Sequence, residues 1–247
     1  MVLLLLYTFT LALNVQEAKA SGTIYVKADG SIDPQTGLIY SVDNVTYIFT
    51  ENIHGSITVE RSNIIIDGAG YTLEGEGAGF RGIQASEVSN LTIQNTNING
   101  FYFGVYLRPV FHSTLFRNNI TNNYYGVELY ESSNNSISEN NIKYNNYGIS
   151  LYGSPNNTIS GNNITNSNTG IYLSNSSNNK IILNSMIDNL WGFWLWNSSS
   201  NNTIAKNSIS IIACTPSQRT YNIYLNESSD NVIYHNRLVN NSYTGQV

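Results

Sequence analysis

The sequence predicts an all-β solenoid of stacked parallel coils, and three observations predict it. Gly82, Gly104, Gly126, Gly148, Gly170 and Gly192 recur every 22 residues. The last five of these glycines open the quartets GVYL, GVEL, GISL, GIYL and GFWL, and a sixth copy, NIYL at residues 222–225, follows after a longer gap. Two further apolar series keep the same step, Ile93/Leu115/Ile137/Ile159/Ile181 and Ile98/Ile120/Ile142/Ile164/Met186. Three short apolar segments per period, separated by Asn, Ser and Gly, are too short for helices and have the spacing of stacked β-coils.

Residues 126–147, GVELYESSNNSISENNIKYNNY, serve as the type coil. Side chains alternate along a strand, so Val127 and Leu129 point inward and Glu128 outward. The inward pair recurs as Val105/Leu107, Ile149/Leu151, Ile171/Leu173, Phe193/Leu195 and Ile223/Leu225. With Ile137 from the second strand and Ile142 from the third, each coil offers about four apolar side chains that only stacking can bury. The turns explain the asparagines. Asn135, Asn157 and Asn179 share one register, and Asn118, Asn140, Asn162 and Asn184 another, so coils about 4.8 Å apart stack amide on amide. Asn also tolerates the left-handed backbone that tight corners require.

Composition narrows the partners. The chain has 247 residues, 41% apolar and 11% charged, with a formal charge of −5. This bounds it to one domain with a real core and gives no footprint for nucleic acid or anionic lipid. Residues 1–13 are apolar, and Ala18-Lys19-Ala20 is a small-x-small site before Ser21, so residues 1–20 read as a secretory signal peptide, although no Lys or Arg precedes the apolar run. That run is short against the roughly 20 residues that span a bilayer, and no later segment spans one, so no membrane insertion is expected after cleavage. The Asn-x-Ser/Thr sequons, from Asn44 to Asn240, are explained by composition as well as by glycosylation. Residues 21–55 lack the period and are expected to cap the N-terminal edge, with the repeats filling residues 56–247. Tyr243-Thr244-Gly245 resembles the start of another GxxL strand, so the last coil is expected to lack a cap and to allow end-to-end association.

The stretches SNIIIDGAGYTLEG (residues 62–75), SSNNSISENNI (132–142), PNNTISGNNI (155–164) and SNNTIAKNSI (200–209) resemble the pectin-lyase-like superfamily and, within it, the NosD-like or CASH (carbohydrate-binding and sugar hydrolase) repeat group. The similarity covers residues 55–245, and the export segment with IYVKADGSIDP (24–34) is similar to secreted archaeal members. The resemblance implies a right-handed, single-stranded parallel β-helix, here of about 8 coils of ~22 residues with three short strands per coil. Members of the group include polysaccharide lyases, C5-epimerases, hydrolases, a copper-assembly accessory protein and surface proteins without known activity. The motifs fix the fold and leave the activity open.

Candidate sites lie where the repeat departs from itself. In one coil the turn reads RPVFHS (108–113) in place of YESSNN or YGSPNN. In the coil beginning at Gly192 one residue is added after Leu195 and about seven after Ile209, which predicts a projecting loop. The outward positions of the GxxL strand form two columns, Tyr106, Glu128, Ser150, Tyr172, Trp194, Tyr224 and Arg108, Tyr130, Tyr152, Ser174, Trp196, Asn226. The carbohydrate-binding candidates are Tyr106, Tyr130, Tyr152, Tyr172, Trp194 and Trp196, since exposed rings with scattered hydrogen-bonding groups suit pyranose faces. The alternative is that these rings only stack and stabilise the solenoid.

Catalytic candidates are Arg108, His112, Glu128 and Tyr130, joined by Tyr106. They include the residue types with which a uronate lyase or epimerase neutralises a carboxylate and moves the C5 proton. Arg108 and Glu128 are equally explained as a surface ion pair, and His112 stands in the column that is Asn134 one coil on. His54, His112 and His235 lie far apart, so no metal site is read and no cofactor is implied; a copper role rests on the resemblance alone. Asp29 and Asp33 are turn formers before they are a cation pair. Cys214 cannot form an intrachain disulfide, since the chain holds one cysteine. The expected role is therefore an exported repeat protein with a polysaccharide or surface glycan as partner and no assigned catalysis. A uronate lyase or C5-epimerase is the first alternative and a copper-assembly accessory the second.

Overall fold

A computed structural model describes residues 22–211 and 220–240 of the chain. The expected leader at residues 1–20, Cys214 and the sequence around Tyr243 lie outside the described residues. The type coil consists of strands Tyr125–Tyr130, Ser136–Ser138 and Asn141–Lys143. Each pairs in parallel with the strand one period on: Val127 with Ile149 and Leu129 with Leu151, Ile137 with Ile159, Ile142 with Ile164. The stack is the expected right-handed parallel β-helix, and Val127, Leu129, Ile137 and Ile142 are fully buried.

The glycine period has a steric cause. A Cβ on Gly126 or Gly148 would stand 2.6 Å from the carbonyl oxygen of Gly148 or Gly170 in the next coil. No side chain fits between backbones that close, so the corner before a GxxL strand admits only glycine where the following rung stacks this tightly on it, from Gly104 to Gly192; in the sixth copy Asn222 takes the place opposite Gly192.

The corners are closed by buried amides. The Asn118 backbone N–H donates to Asn140 Oδ1 at 2.9 Å, and the same contact repeats from Asn140 to Asn162 and from Asn162 to Asn184 at 3.0 Å each. Each side-chain amide donates in turn to the strand before it, as Asn140 Nδ2 does to the Leu115 carbonyl at 3.0 Å. A second ladder runs through Asn135, Asn157 and Asn179, with matching contacts of 2.9 and 2.8 Å. These bonds satisfy backbone groups that a corner would otherwise bury unpaired.

Two departures from the expected scheme have local reasons. The three-strand coil holds in the regular array, but Thr72–Ala85 and Asn97–Leu107 each run through a corner as one strand, with Phe101 buried in the bend. Hydrogen bonding therefore joins the GxxL and third strands into one 16-stranded sheet, opposite a 10-stranded sheet of second strands. At the N-terminus, Gly22–Val26 already pairs in parallel with Ile53–Val59, and Thr46–Phe49 with Ile64–Asp67. Ile39–Tyr40 lies antiparallel against Thr46–Phe49 at the edge of that sheet. Residues 22–55 thus contain rungs of the stack as well as edge-covering strands.

RPVFHS does not project. Val110–Phe111 pairs with Val88–Ser89 as a small parallel rung, with Val110 fully buried. The residue added after Leu195 is absorbed by Asn197 and Ser198, both at positive φ (50° and 62°). Of the second insertion, residues 212–219 lie outside the described part. At the last described coil Ile233 and Leu238 are 39% and 41% exposed, whereas their neighbours Ile204 and Ile209 are fully buried.

Candidate functional site

The outward face of the GxxL strands carries the candidate site, and its rings are in exact coil register with one another only because the strands pair without slippage from Phe103 to Leu225. Tyr130 stacks on Tyr152 at a centroid distance of 5.0 Å, 11° from parallel. Tyr172 meets Trp194 edge-on at 5.3 Å, and Trp194 stands perpendicular to Trp196 at 6.1 Å. Tyr152 and Trp196 are 44% and 38% exposed, while Tyr106, Tyr130, Tyr172 and Trp194 are half-buried.

A third column, absent from the sequence-based candidates, lies beside these two. It comprises the residue before each glycine: Arg81, Phe103, Tyr125, Tyr147, Thr169, Trp191 and, opposite it, Tyr221. Phe103 stacks on Tyr125 at 5.0 Å and Tyr125 on Tyr147 at 4.9 Å. Trp191 stacks on Trp194 at 5.1 Å and meets Tyr221 at the same distance. Tyr102 and Tyr124 extend the rim, parallel within 3° at 4.8 Å. The signal was present in the sequence as FG, YG, YG and WG, masked by the glycine register itself.

Glu128 sits within this sheet of rings and is 7% exposed. It belongs to the outward column, between Tyr106 and Ser150, yet the rings around it exclude water. Burial raises its carboxyl to about 8, with the Ser150 hydroxyl acting in the opposite sense. Its Oε2 is buried without a hydrogen-bond partner. Burial also raises the phenols of Tyr125 and Tyr147, with the charge of Glu128 contributing to both.

Arg108 does not pair with Glu128. Its guanidinium lies 4.5 Å from the centre of the Tyr130 ring, and a carboxyl as buried as Glu128 offers no surface partner. Arg81 lies 4.4 Å from the centre of Tyr106 and donates to Gln84 Oε1 at 2.9 Å. Arg81, Gln84, Tyr106 and Arg108 line one open groove of about 860 Å³, with Glu60, Glu87 and Glu131 on its walls. Among the described residues neither arginine forms an ion pair. His112 stands apart from this groove. It occupies the left-handed turn position (φ 54°) that Asn134 (59°) and Asn156 (60°) fill in the next coils, where His is among the tolerated residues. Arg108, Tyr106, Tyr130 and Glu128 are thus brought together, and His112 is not.

The fold and this face define a parallel β-helix protein with an aromatic sheet surface. The sequence model of the family described as "Periplasmic copper-binding protein (NosD)" matches residues 15–213 and again 149–247, and the chain belongs to that family. Among curated proteins no sequence match is found. Among solved structures the chain is similar to the periplasmic alginate epimerase AlgG, with a TM-score of 0.63, 22% identity, and 76% of this chain and 51% of that one covered. It is similar to DFA-IIIase from Arthrobacter chlorophenolicus A6 without its lid (0.59, 17%, 79% and 60%). It is also similar to tailspike protein 2 from Escherichia coli O157:H7 bacteriophage CAB120 (0.53, 14%, 76% and 38%). These likenesses are of fold, and the chain spans about half the length of the epimerase.

The family description implies copper, and the described residues do not fit it. No three His, Cys, Asp or Glu among them come together as a metal-holding group. Met186, the one methionine among them, is fully buried in the core. The soft donors that select copper are therefore not assembled in the described part.

Proposed function

We propose that this protein is an extracytoplasmic β-helix that holds a polysaccharide along the aromatic face of its GxxL sheet. The observation that carries the proposal is the three-column array of rings in coil register, with Tyr124, Tyr152 and Trp196 open to solvent at its surface. Flat apolar rings match the C–H faces of pyranoses, and the phenol and indole edges supply the few polar groups that orient a bound sugar. Structural stacking accounts for the buried rings but gives no reason for an exposed, continuous patch of this kind. The family description and the epimerase likeness support a location outside the cytoplasm, to which the sequence adds an export segment at residues 1–20. The test is a glycan array probed with the purified chain and with Trp196→Ala: binding to one glycan class that the variant loses supports the reading, and binding to none removes it.

A second reading, a uronate lyase or C5-epimerase, is favoured by Arg81 and Arg108, two guanidiniums without ion pairs among the described residues in one groove. They would neutralise the substrate carboxylate, the step that makes the C5 proton removable. Appearance of an unsaturated uronate product, lost in Arg108→Ala, would establish a lyase. A change in uronate stereochemistry without chain cleavage would establish an epimerase.

A further inference from the structure

A carboxyl enclosed by aromatic rings on an outward sheet face is an unusual use of glutamate, and its surroundings say what it does. Glu128 stands between Tyr106 of Asn97–Leu107 and Ser150 of Tyr147–Tyr152 in the pairing register, with the phenols of Tyr125 and Tyr147 close enough to feel its charge and Tyr102 and Tyr124 at the rim. None of these side chains is basic, and none is a second carboxyl. The nearby cation, Arg108, lies over the Tyr130 ring, and among the described residues no ion pair includes Glu128. The Ser150 hydroxyl is its hydrogen-bond partner, and Oε2 has none.

A carboxylate in that position would be an unpaired buried charge, which proteins avoid by neutralising the group or by admitting water. We propose that Glu128 is a proton-operated switch of the aromatic face: with its carboxyl neutral the rings close over it and the face takes the glycan, and ionisation opens the rings and releases it. The second half rests on the proposed glycan reading; the first half does not. Opening follows from the donors that Oε2 lacks, because the ionised group can find them only in water admitted between Tyr106, Tyr125 and Tyr147. With the carboxyl raised to about 8, the change falls between neutral and mildly alkaline pH.

The test follows the near-ultraviolet circular dichroism of the full chain from about pH 6 to about pH 9, beside Glu128→Gln, a neutral amide of the same shape. The expected result is a step in the parent near pH 8 that the variant lacks; the Tyr125 and Tyr147 phenols beside it are raised above the ordinary tyrosine value, chiefly by burial, and stay protonated over this range. Superposable profiles for the two proteins would overturn the switch. The glycan selected on the array is then titrated at both pH values. Affinity should fall about tenfold for each pH unit above the midpoint in the parent and stay level in Glu128→Gln. A dichroism step with unchanged glycan affinity would overturn the gating and leave the glycan reading intact. If no glycan binds at any pH, the glycan reading and the gating both fail, and the dichroism decides the switch. Should Glu128→Gln not fold, the carboxyl 13C titration of Glu128 in the parent decides, a midpoint in the ordinary carboxylate range overturning the proposal.

Discussion

The Arg108 guanidinium rests on one side of the Tyr130 ring, 4.5 Å from its centre, and Tyr152 stacks on the same ring from the next coil at 5.0 Å. Arg108 thus terminates the second aromatic column while facing the groove that it shares with Arg81. A planar guanidinium can stack and still present its edge to an acidic ligand, which a lysine cannot. Arg108→Lys should therefore weaken binding of an acidic glycan nearly as much as Arg108→Ala, on the order of tenfold, while neutral-glycan binding changes little. Calorimetric titration of both variants with a uronate oligosaccharide and a neutral one checks this.

The pH dependence of stability has a definite sign. The folded-state carboxyl of Glu128 is raised from 4.5 to about 8, so its contribution to stability is fully present below the unfolded value and lost as pH rises through the folded one. Unfolding free energy should decline between about pH 5 and pH 8, by up to roughly 5 kcal/mol at ~1.4 kcal/mol per pH unit, and then level off. Denaturant unfolding across that range checks it, and Glu128→Gln should flatten the decline.

The amide ladder should be worth more than its surface counterpart. Asn140 accepts the Asn118 N–H and donates to the Leu115 and Ser138 carbonyls, all buried or partly so. Asn140→Ala strands those groups and should cost at least about 2 kcal/mol. Asn141→Ala, which removes the amide contacts that Asn141 donates to Asn119 and accepts from Asn163 on the outer side, should cost under about 1 kcal/mol. Paired urea melts separate the two.

Gly148→Ala tests the steric reading of the 22-residue period. Its Cβ would meet the Gly170 carbonyl oxygen at 2.6 Å and Ile164 Cγ2 at 2.7 Å, both held by the stack. The expected loss is about 1–3 kcal/mol, whereas Gly153→Ala, whose Cβ meets only Glu131 Cγ at 3.6 Å, should be limited by its positive φ of 57°. Thermal unfolding of both variants reads the difference.

The fold was legible because each coil repeats the same local instruction. Glycine marks the close backbone approach, the Val127/Leu129 pair marks the inward side, and Asn140 marks a corner. The candidate site was legible only in part. Tyr106, Arg108 and Tyr130 could be placed on one face because alternation along a strand determines it. Alternation says outward, however, and outward is not the same as exposed. That is why Glu128 and Arg108 read as a surface ion pair, when the Tyr125 and Tyr147 rings in fact bury the glutamate. The column before the glycines was missed because that position turns into the strand, and only strand pairing shows that Tyr125 stands over Tyr147. His112 stands at φ 54° in a corner, outside the groove that Arg81 and Arg108 line, a placement that spacing along the sequence does not give.

The most direct test of the central claim is the affinity of the array-selected glycan for the parent chain, for Tyr152→Ala/Trp196→Ala, and for Ser138→Ala/Ser160→Ala on the opposite sheet. Binding that falls at least about tenfold in the aromatic pair and is unchanged in the serine pair is the predicted result. Equal affinity in all three proteins would contradict a glycan site on the aromatic face.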